Sequence, residues 1–237
     1  MPQWFRLDPS AGLAYLALGL VGCHPSSPSL VPAGMQSASP EQVALWVGAT
    51  TPTRSALHRF TWLYQDEQAS KGGRGSARIA PPDSLRFDFA GSLGIGKGSA
   101  VVVGDSAQWV VPDRSVDELV PGIALLWSVL GVALPPAAQA RLSGLDQSGR
   151  TAWQYASGPD TVNYLRVAGD PVIFYAEVRR SGKIVGRTEM TTRGDGTPVK
   201  ARLTAPTVPS KLEITFYATV PSPAFPPETW LRPAAEP

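Results

Sequence analysis

From residue 56 onward, apolar and polar residues alternate with a period of two over most of the chain. Residues 84–90 are the clearest case. Leu85, Phe87 and Phe89 alternate there with Arg86 and Asp88, the mark of a strand with one buried face and one wetted face. Phe60, Trp62 and Tyr64 share a face of 56–68, and Leu212, Ile214, Phe216 and Ala218 share a face of 210–220. The same pattern predicts strands over 74–80, 99–104 and 108–111, and later over 151–156, 161–167, 171–180, 183–192 and 199–205. Gly72-Gly73, Pro81-Pro82-Asp83, Gly158-Pro159, Gly169-Asp170, Ser181-Gly182 and Gly194-Asp195-Gly196 separate these runs as turn signals. A meander of about eleven strands joined by such short turns is antiparallel.

Two stretches carry helical spacing instead. In 39–48, Ser39 and Gln42 form a capping box, Pro40 fits the first turn, and Val43, Trp46 and Val47 fall on one face. Residues 115–134 open on a second capping-box pattern, Ser115 and Glu118. Val116, Leu119, Val120, Ile123, Leu126, Trp127 and Leu130 then follow at helical spacing, Pro121 kinks or splits the helix, and Gly131 with Pro135-Pro136 stops it. This helix is apolar around more of its girth than a surface helix needs.

A long sheet with one apolar face must curl or be covered. The expected fold class is mainly β (α+β), an unclosed antiparallel β-barrel of about eleven strands with a helical lid. An apolar cavity under the lid would be lined by Phe60, Trp62, Tyr64, Leu85, Phe87, Phe89, Ile123, Trp127, Leu130, Leu212, Ile214 and Phe216. Such a lining suits acyl chains better than polar metabolites. The alternative is that side chains fill the space.

The N-terminus changes the picture. Residues 11–20 (AGLAYLALGL) carry no charge and are too short to span a bilayer, but they suit the apolar core of a signal peptide, with Arg6 before them. Leu20-Val21-Gly22-Cys23 follows and resembles the bacterial lipobox. That resemblance implies a signal peptide over 1–22 and a lipidated Cys23 as the first mature residue, a stable anchor. His24 stands where aspartate often signals inner-membrane retention in proteobacterial families, which implies outer-membrane sorting. Residues 23–38 are rich in Pro, Ser and Gly and read as a flexible tether, 39–220 as the folded domain, and 221–237 as a proline-rich tail in which 228–231 can pack as a short turn.

Composition mainly excludes. The 237 residues carry a formal net charge of +2 and no basic cluster, so nucleic acid is not an expected partner. A single cysteine and two histidines leave no cysteine-based metal site, and neither a metal nor a cofactor is expected. Residues 91–98 (GSLGIGKG) nearly spell a phosphate-binding loop. Gly98 replaces the magnesium-binding hydroxyl, however, and a strand rather than a helix follows. No Gly-x-Ser-x-Gly occurs, and His58, beside Arg59 in a strand, reads as a wetted side chain. Acids are scattered through the chain, so counting leaves a glycosidase-type carboxylate pair open, but most of them, such as Asp88, Glu177 and Glu213, alternate with apolar neighbours and read as solvated. The chain is therefore not expected to be an enzyme. Arg59, Arg74, Arg78 and Arg86 fall on successive early strands, where they keep the outer face soluble or contact lipid headgroups or an acidic partner. Trp62, Trp109, Trp127 and Trp153 read as packing or cavity lining.

The lipobox, tether, short helix, meander, the run Phe-Asp-Phe-Ala-Gly-Ser-Leu-Gly-Ile-Gly-Lys-Gly, the central helix and six further strands together resemble the LolA/LolB lipoprotein-carrier superfamily, over 39–220. Gly91-Ser-Leu-Gly-Ile-Gly is similar to the Gly-Pro-Leu-Gly loop that LolB-like members carry after their third strand, with Ser92 in place of the proline. The resemblance implies an unclosed barrel lidded by helices that holds lipoprotein acyl chains or lipids. LolB-like members accept cargo from a periplasmic LolA-like carrier and insert it into the outer membrane. It further implies a monomer anchored through Cys23 and facing the periplasm. Beside a lipidated Cys23 and a lidded trough, Leu93 and Ile95 amid four glycines read as a membrane-contacting loop; the alternative is that both fold back onto the barrel rim. The alternatives are a lipid or glycolipid carrier of the same fold and a non-catalytic structural envelope lipoprotein.

Overall fold

The computed structural model describes residues 30–92, 97–111, 122–207 and 209–231; the side chains of 108–111 are outside that description. Cys23, Leu93, Ile95 and the side chain of Trp109 therefore lie outside the described residues, as do residues 115–121 of the expected central helix.

The strands are β1 (Gln36–Ser37), β2 (Ala56–Gln65), β3 (Ser70–Ala80), β4 (Ser84–Gly91), β5 (Lys97–Val103), β6 (Ser106–Val111), β7 (Arg141–Gln147), β8 (Arg150–Ser157), β9 (Asp160–Val167), β10 (Val172–Arg180), β11 (Lys183–Thr192), β12 (Pro198–Ala205) and β13 (Ser210–Pro221). The helices are α1 (Pro40–Gly48) and α2 (Ile123–Ser128), and Pro227–Trp230 makes a 3-10 turn. All pairings are antiparallel, in the order β1-β7-β8-β9-β10-β11-β12-β13-β2-β3-β4-β5-β6. The two ends, β1–β7 and β5–β6, do not pair, so the barrel is unclosed as expected. Two strands join the expected set, β7 and the two-residue β1. The latter pairs Gln36 with Gly144 and Ser37 with Ser143, at the end of the stretch expected as a tether. Gly72-Gly73, read as a break, lies inside β3.

α1 forms where the capping box predicts: Ser39 Oγ accepts from the Gln42 amide, and the Gln42 side chain accepts from the Ser39 amide. Its Val43 is fully buried, and Trp46 lies tilted against Trp153 with centroids 6.2 Å apart. Gly144 of β7 makes this docking possible, because a Cβ there would stand 2.3 Å from the Trp46 ring. Gly144→Val is expected to cost about 1–3 kcal/mol by overpacking and to erase the near-UV circular dichroism of the Trp46–Trp153 pair.

The central helix ends at Ser128, sooner than helical spacing predicts. Within the described residues α2 has six residues, and the chain leaves it through Gly131 at φ 77°. Leu125, Leu126, Trp127, Val129, Leu130, Val132 and Ala133 are all buried, so the apolar pattern continues beyond the helix. α2 rests on β10 and β11. The Trp127 indole N–H donates to the Gly104 carbonyl at 2.9 Å, Thr188 Oγ1 donates to the Leu125 carbonyl, and the Ala133 amide donates to Thr50 Oγ1. The segment thus bridges the trough from β10–β11 to the β5–β6 turn. At the other end of the chain, the turn at 227–230 packs on β4, where an Arg86 guanidinium N–H donates to the Thr229 carbonyl.

Candidate functional site

Strand register assembles the inner face. Phe216, Ile214 and Leu212 of β13 lie opposite Phe60, Trp62 and Tyr64 of β2. On the other side β3 presents small residues: Gly73, Gly75 and Ala77 oppose Trp62, Phe60 and His58, and Gly75 and Ala77 also oppose Phe89 and Phe87 of β4. Large side chains on β2 and β4 therefore meet across a low strand. Phe60 and Phe89 are 5.5 Å apart, Phe60 and Phe87 6.1 Å, Phe60 and Phe216 5.7 Å, and Trp62 and Phe89 5.9 Å, all edge-on. That geometry suits the ring quadrupoles. Gly75 is required: a Cβ on it would come within 2.4 Å of Phe60 and 2.7 Å of the Asp88 carbonyl.

All twelve residues expected to line a cavity belong to one apolar cluster. Phe60, Leu85, Phe87, Trp127, Leu130, Leu212, Ile214 and Phe216 are buried in it, while Trp62, Tyr64, Phe89 and Ile123 are half-buried. The half-buried strand residues Trp62, Tyr64 and Phe89 cluster at the end where β4 runs into the 91–98 loop, the less covered end of the inner face among the described residues. Ser92 there donates from its hydroxyl to the Gly72 carbonyl at 3.0 Å, tying the start of the loop to β3.

A second aromatic group lies on the inner face, of which the sequence reading names only Trp153. Trp153 and Tyr164 stack at 5.2 Å, Tyr164 and Phe174 at 5.7 Å, and Tyr155 meets Tyr164 edge-on at 5.6 Å. The indole N–H of Trp153 donates to Tyr155 Oη, and the Leu134 amide donates to Tyr164 Oη. Burial pushes both phenol pKa values well above the ordinary range, so both hydroxyls stay neutral. The signal was present, since Trp153 alternates with Tyr155 and Val162 with Tyr164.

Three polar residues differ from expectation. His58 is not wetted: it is 6% exposed on the inner face, edge-on to Phe216, with Nδ1 3.0 Å from Thr219 Oγ1. Burial lowers its pKa from 6.5 to about 4. The unfolded chain then takes up this proton as pH falls through 6.5, while the native state resists until about 4. Stability is full above that window and falls through it, by about 3 kcal/mol at pH 4. His58→Asn should flatten this part of the pH profile of unfolding free energy; identical profiles would count against the buried neutral imidazole. Glu177 is not solvated but 0% exposed, because Arg179 and Arg187 close over it from the outer face. Asp88 is partly buried in ion pairs with Arg78 and Arg86 and accepts from Ser99 Oγ at 2.7 Å. Among the described residues, no group of three or more His, Cys, Asp or Glu side chains could hold a metal ion. No described helix is long and apolar enough to cross a membrane.

No family model matches the sequence, nor does any curated protein. Solved structures do match by fold. A domain from Vibrio parahaemolyticus, provisionally described as an outer membrane lipoprotein-sorting protein, is 10% identical with a TM-score of 0.54, over 81% of this chain and 97% of that one. A LolA superfamily protein from Nitrosomonas europaea is also 10% identical, with a TM-score of 0.47 over 83% of this chain and 99% of that one. The first likeness shows a shared fold, and the open antiparallel sheet covered by a short helix is the architecture expected from the sequence.

Proposed function

We propose that this protein is an envelope lipoprotein that holds acyl chains on the inner face of its open sheet and delivers lipoproteins into the outer membrane. The observation that carries the reading is the unclosed sheet whose inner face is lined by aromatic and aliphatic side chains and covered by α2. A LolA-like fold is a binding fold, and a non-catalytic role is consistent with it. Trp127 and Leu130 are buried in the same apolar cluster as the strand residues. Cargo chains would enter at the Trp62–Tyr64–Phe89 end and exchange contacts with Ile123, Trp127 and Leu130. Cys23 would anchor the domain to the outer membrane, facing the periplasm, and a periplasmic LolA-like carrier would hand cargo to it.

The loop at 91–98 gives delivery a handle. Leu93 and Ile95 are the membrane-contacting residues in this reading, each contributing about 1.5–3 kcal/mol on burial. That suffices for a transient dip and not for anchoring. Leu93→Glu or Ile95→Glu should abolish delivery while leaving cargo binding intact; normal delivery by both would remove the loop from the proposal.

A second reading has its own observation. Eight of the twelve candidate lining residues are buried against one another and the lid, as a structural lipoprotein with a filled core would require. Purification of the full chain with Cys23→Ser, followed by mass spectrometry of extracted cargo, separates the readings. Acylated peptide supports the lipoprotein carrier, and free lipid or glycolipid supports a carrier of different cargo. A consistently empty protein without transfer activity in a reconstituted assay leaves the filled core.

A further inference from the structure

The outer face of β2–β5 holds a groove of about 450 Å³ opposite the trough. Arg59, Arg74, Arg78 and Lys97 line it with one carboxylate, Asp88, and with Ser76, Ser99 and Tyr217. Register explains the cluster. One row across the sheet runs Arg59–Ser76–Asp88–Ser99, and the next runs Thr61–Arg74–Ala90–Lys97. Ala90 leaves a gap between Arg74 and Lys97, and the small hydroxyls of Ser76 and Ser99 floor the groove. Asp88 is already engaged by Arg78 and Arg86. Among the described residues, Arg59, Arg74 and Lys97 are exposed and have no carboxylate within ion-pair distance. Three cations with no ion-pair partner among the described residues, held together over a polar floor, repel one another and fit an anion.

The surroundings say which anion. Leu63, Tyr217 and Val220 are 37%, 57% and 50% exposed. Leu63 and Val220 stand on the outer face of β2 and β13, and Tyr217 projects into the groove beside Arg59 from the β13 irregularity between Phe216 and Ala218. Exposed aromatic and aliphatic residues on the same sheet face as these cations match the chemistry of a lipid headgroup layer, where phosphate meets cation and apolar side chains reach the acyl boundary. β2, β3 and β4 are interior strands, so an acidic peptide could not bind here by adding a strand. We infer that this face docks on an anionic phospholipid surface, with lipid phosphate seated between Arg59, Arg74 and Lys97. It would orient the domain on the membrane through contacts separate from the Cys23 anchor and from the trough.

Co-sedimentation with vesicles of phosphatidylglycerol and phosphatidylcholine, against phosphatidylcholine alone, tests this on the full chain carrying Cys23→Ser. Each cation near an anionic surface contributes about fivefold in partition. Arg59→Gln/Arg74→Gln/Lys97→Gln should therefore weaken binding to the anionic vesicles on the order of a hundredfold. Arg150→Gln/Lys183→Gln/Arg193→Gln removes the same charge from exposed positions elsewhere and should change it little. Tyr217→Ser/Val220→Ser should weaken vesicle binding several-fold and leave binding of a poly-glutamate peptide unchanged. Equal binding by the two charge triples, or no preference of the starting protein for the anionic vesicles, would overturn the inference. So would poly-glutamate binding as tight as vesicle binding and equally sensitive to the first triple, which would assign the groove to an acidic protein. Sensitivity to inorganic phosphate beyond that to chloride at equal ionic strength, without vesicle binding, would reduce it to a free-phosphate site. Unchanged thermal melting of each variant keeps these outcomes apart from misfolding.

Discussion

Glu177→Ala is expected to lower the unfolding free energy by about 3–5 kcal/mol. The carboxylate is 0% exposed and lies in a row of side chains that crosses five strands on the outer face of the sheet. Ser143 Oγ donates to Gln154 Oε1 at 3.5 Å, and Gln154 Nε2 donates to Asn163 Oδ1 at 2.7 Å. Asn163 Nδ2 donates to Glu177 Oε1 at 3.0 Å, and Arg179 and Arg187 each donate to the same carboxylate. Both arginines are mostly buried, at 23% and 30% side-chain exposure. Removing Glu177 takes the carboxylate away from two half-buried guanidinium groups and the acceptor away from Asn163 Nδ2, whose residue is 1% exposed. Losing the charge partner and stranding that buried amide costs more than the intact row contributes. Glu177→Gln keeps an acceptor for Asn163 but not the charge, so its loss should fall between wild type and alanine. Guanidinium denaturation followed by circular dichroism measures both. Values within about 1 kcal/mol of wild type for the alanine variant would show that the row is not a stabilising network.

The same residue shows what alternation in the sequence reveals. In β10, Phe174, Ala176 and Val178 face inward and Glu177 outward. Period two identifies the outward face, but not that neighbouring arginine stems cover it. His58 shows the converse, a polar side chain on the inner face of a strand whose apolar neighbours were legible. β7 escaped notice for a specific reason. Its inner face offers Leu142 and then Gly144, because Trp46 of α1 occupies the space a large side chain would fill. The apolar signal had moved to another element. In α2 the pattern overran the helix because buried residues continue through Ala133 whatever the backbone does. Inner-face residues on β2, β4 and β13 were legible because each strand contributes a contiguous apolar face. The glycines of β3 that bring them together read as a break, since a glycine's role in clearing space is visible only once its neighbours are placed.

Trp127→Ala tests stability and function together. Trp127 is 2% exposed, and its indole N–H holds the lid to the Gly104 carbonyl across the trough. Truncation removes a large buried side chain and should cost about 3–5 kcal/mol. Trp127→Phe keeps most of the apolar volume and loses the hydrogen bond, so a loss nearer 1 kcal/mol is expected from that bond alone, plus a smaller packing term. If the lid gates acyl binding, both variants should take up a fluorescent fatty acid faster than wild type, and alanine, which opens space beside Leu125 and Leu130, should do so most. Occupancy would then restore part of the lost stability, because a ligand that binds only the folded state raises its apparent stability with concentration. If the core is simply filled, the alanine variant should be destabilised by the same amount, take up no probe, and gain nothing from added fatty acid. The decisive quantity is the dependence of the Trp127→Ala melting temperature on fatty-acid concentration: a rise favours the carrier reading, and a flat response favours the structural one.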